Sequence, residues 1–223
     1  MTSPSALVAS IRYRGFAGTF GRLVRRSGYL SSAEEFDQRY GVDTAGRVEA
    51  ADSGGSGENL PYAVHYEGTH APSFLSVIAS LKLHHEDYTF LDYGSGKGLA
   101  MLLASWFPFR RIRGVEFSPD LHAVCEANIR SFHSHRQRCF DIESVCADAT
   151  EVEIPSGLCV FYFFNPFGGP VMRRVLANIA ASCRAEPREM YLVYFNPRAA
   201  DMVTEAGFVQ LAELHGHRVY RML

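Results

Sequence analysis

The sequence predicts an α/β protein: a seven-stranded, mostly parallel sheet with helices on both faces, closed by a C-terminal antiparallel hairpin and preceded by a small helical extension. Three observations lead there. From residue 72 onward, short apolar runs alternate with stretches of helical periodicity. Two strand-like runs end the chain, FVQLAEL (208–214) and HRVYRML (217–223), joined through Gly216 as a hairpin. Ahead of all this, the small polar stretch ADSGGSGEN (51–59) has the composition of a flexible connection. The expected organisation is an N-terminal helical extension or cap over 1–50, a linker over 51–60 and the main domain over 61–223.

Within the domain, PSFLSVIASLKL (72–83) reads as a helix with Phe74, Leu75, Ile78 and Leu81 on one face and Pro72 in its first turn. A strand follows at TFLDY (89–93), then a helix at GLAMLLASWF (98–107) and a strand at RIRGVEF (111–117). Ser118 is the expected N-cap of a helix over 119–130. Next come a short strand at ESVCAD (143–148), the strongly apolar LCVFYFFN (158–165), a helix at VMRRVLANIAASC (171–183) and the strand EMYLVYFN (189–196). A last helix over 199–206 ends at Gly207, which suits a left-handed C-cap, before the hairpin.

Composition bounds the function. At 223 residues with 47% apolar content, the chain can bury one full core, which excludes disorder along its whole length. A formal charge of −2 gives no global attraction to nucleic acid or anionic lipid. No apolar run approaches the roughly 18 residues of a spanning helix, and Arg12 and Arg14 stand where a signal peptide keeps its apolar stretch. The expected compartment is the cytoplasm. Five scattered cysteines without a C-x-x-C suggest reduced thiols, and the histidines lack the spacing of a metal site, so no metal is expected. One local exception is basic: Arg12, Arg14, Arg22, Arg25 and Arg26 precede the first acid, Glu34, and alternate with Tyr13, Phe16, Phe20 and Tyr29. This stretch reads either as a patch for nucleic acid or acidic lipid, or as a cap whose aromatics pack on the main domain.

Four motifs carry chemistry. In FLDYGSGKG (90–98) a strand ends in Asp92 and opens into a loop with Gly94, Gly96 and Gly98. Ligands bind at the carboxyl ends of such strands, and glycines permit close backbone approach. The spacing fails the dinucleotide fingerprint, because Leu99 stands in the third glycine's place, and fails the Walker pattern, because Gly98 follows Lys97. An acid ahead of the glycines fits a ligand led by a cationic amino group better than one led by a pyrophosphate. In GVEF, Glu116 ends the next strand, where an acid accepts the ribose hydroxyls of an adenosine; nicotinamide enzymes share this feature. The alternative is a charge near the Ser118 helix start. In CADA (146–149), Asp148 is placed to accept from an adenine amine and the Ala149 backbone to meet a ring nitrogen. In FYFFNPFGG (161–169), Asn165, Pro166 and Phe167 end the most apolar strand. The Asn165 carbonyl is suited to receive a donor from an acceptor amine, and Phe167 to stack on the acceptor or face a cation. Alternatively, Pro166 and Gly168–Gly169 only turn the chain. FNP recurs at 195–197, where Asn196 is either a second polar group at the rim or a helix cap.

In this order and at these intervals, FLDYGSGKG, GVEF, CADA and FFNPF resemble the class I S-adenosylmethionine-dependent methyltransferase superfamily over residues 72–223. FDQRYGVDT, HYEGTHAPSF and NPF are most similar to a bacterial group within it. The resemblance implies a Rossmann-like sheet and S-adenosyl-L-methionine as cofactor, with Asp92, Gly94 and Gly96 around the methionine portion, Glu116 at the ribose and Asp148 at the adenine. Ser95, Phe117 and Ala149 complete the expected cofactor-binding set. Asn165, Pro166 and Phe167 become the catalytic set, similar to the [DN]-P-P-[YFW] element of amino-methyltransferases but with a single proline. That departure weighs against a nucleobase or amide acceptor and leaves a nitrogen of a protein or small molecule. Lys97 either meets the methionine carboxylate or faces solvent, and His65, Tyr66 and His70 are candidates to close over the site and supply a base. Two alternatives stay open: a catalytically silent module that binds the same cofactor, and an NAD-binding oxidoreductase, which Leu99 and the hairpin oppose.

Overall fold

The computed structural model describes residues 32–48, 59–62 and 66–223. The arginine-rich stretch over 12–26, most of the Gly/Ser-rich segment and His65 lie outside these residues. Helix α1 (Ala33–Tyr40) and two short strands, β1 (Arg47–Val48) and β2 (Tyr66–Glu67), come before α2 (Ala71–Ser80). The alternating region then runs β3 (Tyr88–Tyr93), α3 (Leu99–Ala104), β4 (Arg111–Glu116), α4 (Pro119–Ser131), β5 (Ile142–Cys146), β6 (Leu158–Phe164), α5 (Gly169–Ala185), β7 (Met190–Phe195), α6 (Ala200–Glu205), β8 (Val209–Leu214) and β9 (His217–Met222).

The last seven strands form one sheet in the order β5-β4-β3-β6-β7-β9-β8, parallel up to β7 and antiparallel through β9 and β8. The chain winds outward from β3 to β5 and then returns to lay β6 against the other side of β3. That reversal puts the topological switch point between β3 and β6. Strand β6 reads LCVFYFF without alternation because both of its faces are covered. One face, carrying Phe90, Val160 and Tyr162, packs on α2 and α3 with Phe36 of α1 in the same core; the other, carrying Tyr93, Phe161 and Phe163, packs on α5. Phe161 is fully buried, so its truncation to alanine would cost about 3–5 kcal/mol.

Local chemistry sets the boundaries. Ser118 caps α4, its hydroxyl accepting from the Leu121 amide at 3.1 Å. Helix α2 stops earlier than its periodicity predicts, and Lys82 just beyond it is left-handed, with φ 53°. Helix α3 also ends early: Trp106 and Phe107 donate to carbonyls three residues back, tightening the turn ahead of Pro108. His215 and Gly216, at φ 50° and 77°, make the two-residue turn of the β8–β9 hairpin. Four cysteines are buried and Cys146 is exposed, all of them free. Among the described residues no helix is long and apolar enough to cross a membrane.

Candidate active site

A cavity among the described residues opens at the carboxyl ends of β3, β4, β5 and β6, and it is lined by Asp92, Gly94, Ser95, Gly96, Glu116, Phe117, Asp148, Ala149, Asn165, Pro166 and Phe167, the residues expected to bind the cofactor or act in catalysis. The parallel register explains the convergence. Asp92 stands opposite Gly114 on one side and Tyr162 on the other, and Glu116 opposite Cys146.

Two acids sit at its centre. Asp92 is 3% exposed and accepts no hydrogen bond among the described residues. Burial, and then the neighbouring Glu116, push its carboxyl up to about 8. Glu116 is braced: its oxygens accept from the amides of Gly96 at 2.7 Å and Ser118 at 2.9 Å. Burial raises its pKa, with those amides opposing the shift. Glu116 therefore ties the glycine loop to the start of α4 and retains lone pairs for a ligand.

The segment ahead of α2 covers the glycine loop. β1 and β2 pair antiparallel, Val48 opposite Tyr66. The Tyr66 ring lies against Gly96, and its hydroxyl donates to the Thr44 carbonyl. Burial raises the Tyr66 pKa, with Asp37 and then Asp92 adding to it, which keeps the hydroxyl proton available for the Thr44 carbonyl. Neither sequence reading of Lys97 describes its position. Its ammonium bonds Asp43 Oδ1 at 2.7 Å and the Ala45 carbonyl at 2.9 Å, away from the cavity. Buried Asn128 completes this latch, accepting from the Asp43 amide and donating to the carbonyls of Asp43 and Lys97. His70 is exposed and faces Ser73, while its neighbour Thr69 lines the cavity.

On the β5 side, Asp148 accepts from the Thr150 amide and hydroxyl, both at 2.8 Å, and from Asn59 Nδ2 at 2.5 Å. Asn59 opens a short 3-10 turn (Leu60–Tyr62), whose far end is tied by the Gly168 amide donating to the Tyr62 carbonyl at 2.7 Å. The turn thus bridges the loops after β5 and β6.

On the β6 side, Asn165 reaches the rim but its amide turns inward. Oδ1 accepts from the Tyr194 hydroxyl at 2.9 Å and the Arg198 amide at 3.2 Å, and Nδ2 donates to the Asn196 carbonyl at 2.6 Å. The group expected to receive an acceptor amine is a brace between the ends of β6 and β7. Both asparagines are left-handed, at φ 44° and 47°. Asn196 does not cap α6, whose N-cap is Ala199. Pro166 packs on Gly94, and Phe167 meets Phe163 edge-on at 5.8 Å.

Motif reading missed Asn59, Thr69, Tyr162 and Arg198, which also line the cavity. Tyr162 had a signal, since it stands opposite Asp92 in the parallel register and so presents its side chain to the same face of the sheet. The others arrive from loops with no periodicity to follow. Among the described residues no cluster of three metal-ligating side chains forms.

No protein-family model and no curated protein matches the chain. Solved structures do. One, described as a predicted N6-adenine-specific DNA methylase from Listeria monocytogenes, aligns with a TM-score of 0.52 at 11% identity, covering 70% of this chain and 51% of that one. The chain spans about half the length of that protein. The ribosomal protein L11 methylase from Lactobacillus delbrueckii subsp. bulgaricus aligns at TM-score 0.48 and 14% identity, over 69% of this chain and 78% of its own. The Pyrococcus abyssi tRNA (uracil-54, C5)-methyltransferase, solved with S-adenosyl-L-homocysteine, aligns at 0.49 and 13%, over 70% and 39%. The fold is that of the class I methyltransferases.

Proposed function

We propose that the chain is an S-adenosylmethionine-dependent methyltransferase whose acceptor is a nitrogen of a protein or small molecule. The observation that carries this reading is Asp92, a buried carboxyl group with no hydrogen-bond partner among the described residues, set at the switch point beside a glycine loop and sharing its cavity with Glu116. Two enclosed acids favour a positively charged ligand. S-adenosylmethionine fits that demand with its ammonium group, ribose hydroxyls and sulfonium, and the shared fold supports the choice.

When bound, the cofactor supplies a methyl group on a cationic sulfur with a neutral thioether as leaving group. In this reading Asp92 holds the ammonium while Gly94, Ser95 and Gly96 admit the methionine portion. Glu116 and Phe117 hold the ribose, and Asp148 and Ala149 border the adenine. Pro166 and Phe167 line the approach of the acceptor, and Asn165 acts on them by fixing the loop that carries them. Positioning of the two reactants supplies up to about 7–11 kcal/mol of such a reaction, and the covering turn 60–62 and strand β2 keep out water as a competing nucleophile.

The test is incubation with methyl-labelled cofactor and fractionated cell extract. Label on an acceptor, with S-adenosylhomocysteine formed by the wild type and not by Glu116→Ala, is the expected result. Binding without product across all fractions would instead favour the silent module, and binding of NAD alone the oxidoreductase.

A further inference from the structure

Resting on the cofactor reading above, we propose that Asn59 is the residue that recognises the 6-amino group of the cofactor's adenine, with Asp148 acting on it as a positioning residue. The carboxylate of Asp148, to which the sequence assigns that amine, is already engaged by Thr150 on one oxygen and by Asn59 on the other. Although burial raises its pKa, the hydrogen bonds from Thr150 and Asn59 outweigh this and hold the group below its ordinary value, as a carboxylate. A carboxylate only accepts, so the amide of Asn59 must turn its NH2 toward it. The Asn59 carbonyl oxygen is thereby aimed away from Asp148, with no partner among the described residues, on a side chain that lines the cavity.

The backbone fixes this arrangement from both ends. The Tyr62 amide donates to the Asn59 carbonyl at 3.0 Å, closing the turn, and the Tyr62 carbonyl is held by Gly168. Asn59 is therefore delivered to the adenine end by a bridge pinned on both sides of the cavity. An amide oxygen at that place accepts from an exocyclic amine and repels a carbonyl. The selectivity that follows is for 6-amino over 6-oxo purines.

The experiment is calorimetric titration of the full chain with S-adenosylhomocysteine and with S-inosylhomocysteine, its 6-oxo counterpart. The wild type should prefer the amino form by at least about tenfold, the cost of facing an acceptor with an acceptor. Asn59→Ala should bring the two affinities within about twofold, and Asn59→Ser, which retains a polar turn residue, should do the same if the alanine variant folds poorly. Asp148→Ala should weaken the preference by releasing the amide. In the wild type alone, the Asn59 side-chain amide resonances should move with the amino nucleoside more than with the oxo form. Preference retained in both Asn59 variants but abolished in Asp148→Ala would overturn the proposal in favour of direct reading by Asp148. Equal wild-type affinity for both nucleosides would overturn it while leaving the cofactor reading intact, and binding of neither would overturn that reading as well.

Discussion

Tyr66 rests so closely on Gly96 that a β-carbon added to the glycine would lie 2.1 Å from the ring. Gly96 also has φ 53°, which an L side chain adopts only under strain. Gly96→Ala should therefore do two things at once: destabilise the fold by about 1–2 kcal/mol through backbone strain, and push Tyr66 off the loop. Thermal melting should show a drop of several degrees, and calorimetry a loss of nucleoside binding larger than that drop explains.

The Asn128 latch makes a separate prediction. Removing its amide leaves the Asp43 amide and the carbonyls of Asp43 and Lys97 without this partner, in a residue only 3% exposed. Asn128→Ala should cost about 1–3 kcal/mol, whereas Asp43→Asn, which weakens a half-exposed ion pair, should cost under about 1 kcal/mol. Both should speed hydrogen exchange over residues 42–48.

Asn165 is predicted to act through structure. Asn165→Ala strips partners from Tyr194, Asn196 and Arg198 together, so stability should fall by about 2–3 kcal/mol and turnover with it. Tyr194→Phe removes one of these bonds and should cost about 0.5–1.5 kcal/mol. If Asn165 instead touched the acceptor through its amide, Tyr194→Phe would leave turnover untouched.

The raised Asp92 pKa fixes the sign of a pH effect. Its folded value, about 8, lies above the ordinary 3.8 because of burial and then Glu116, so the native state keeps a proton that the unfolded chain has released. Stability should fall as pH rises through the window between those values and level off above it. Asp92→Asn should melt higher than wild type near pH 8 and match it near pH 4. Melting curves across that range read this directly.

Much of the sheet was legible because its signals are local. The apolar run of β6, the Ser118 cap and the hairpin around Gly216 are each written in neighbouring residues. The converging acids were legible too, since strand ends in a parallel sheet share one edge. What the sequence did not reveal is the wrapping of residues 32–48, 59–62 and 66–67 over that edge. Contacts such as Asn59 with Asp148, 89 residues apart, or Lys97 with Asp43, depend on where two loops meet and leave no periodic trace. Nor does an asparagine at a strand end reveal which way its amide turns. The Asn165 side chain faces inward because Tyr194, two strand positions before Asn196, offers it a hydroxyl.

The central claim, that Asp92 and Glu116 form a cationic nucleoside site, is tested most directly by calorimetric titration of wild type, Asp92→Asn and Glu116→Ala with S-adenosylmethionine and NAD. The account predicts micromolar binding of S-adenosylmethionine that strengthens from pH 6 to 8 in the wild type, is weakened at least about tenfold in both variants and loses its pH dependence in Asp92→Asn. Binding of NAD in place of S-adenosylmethionine, or binding that both variants retain, would contradict it.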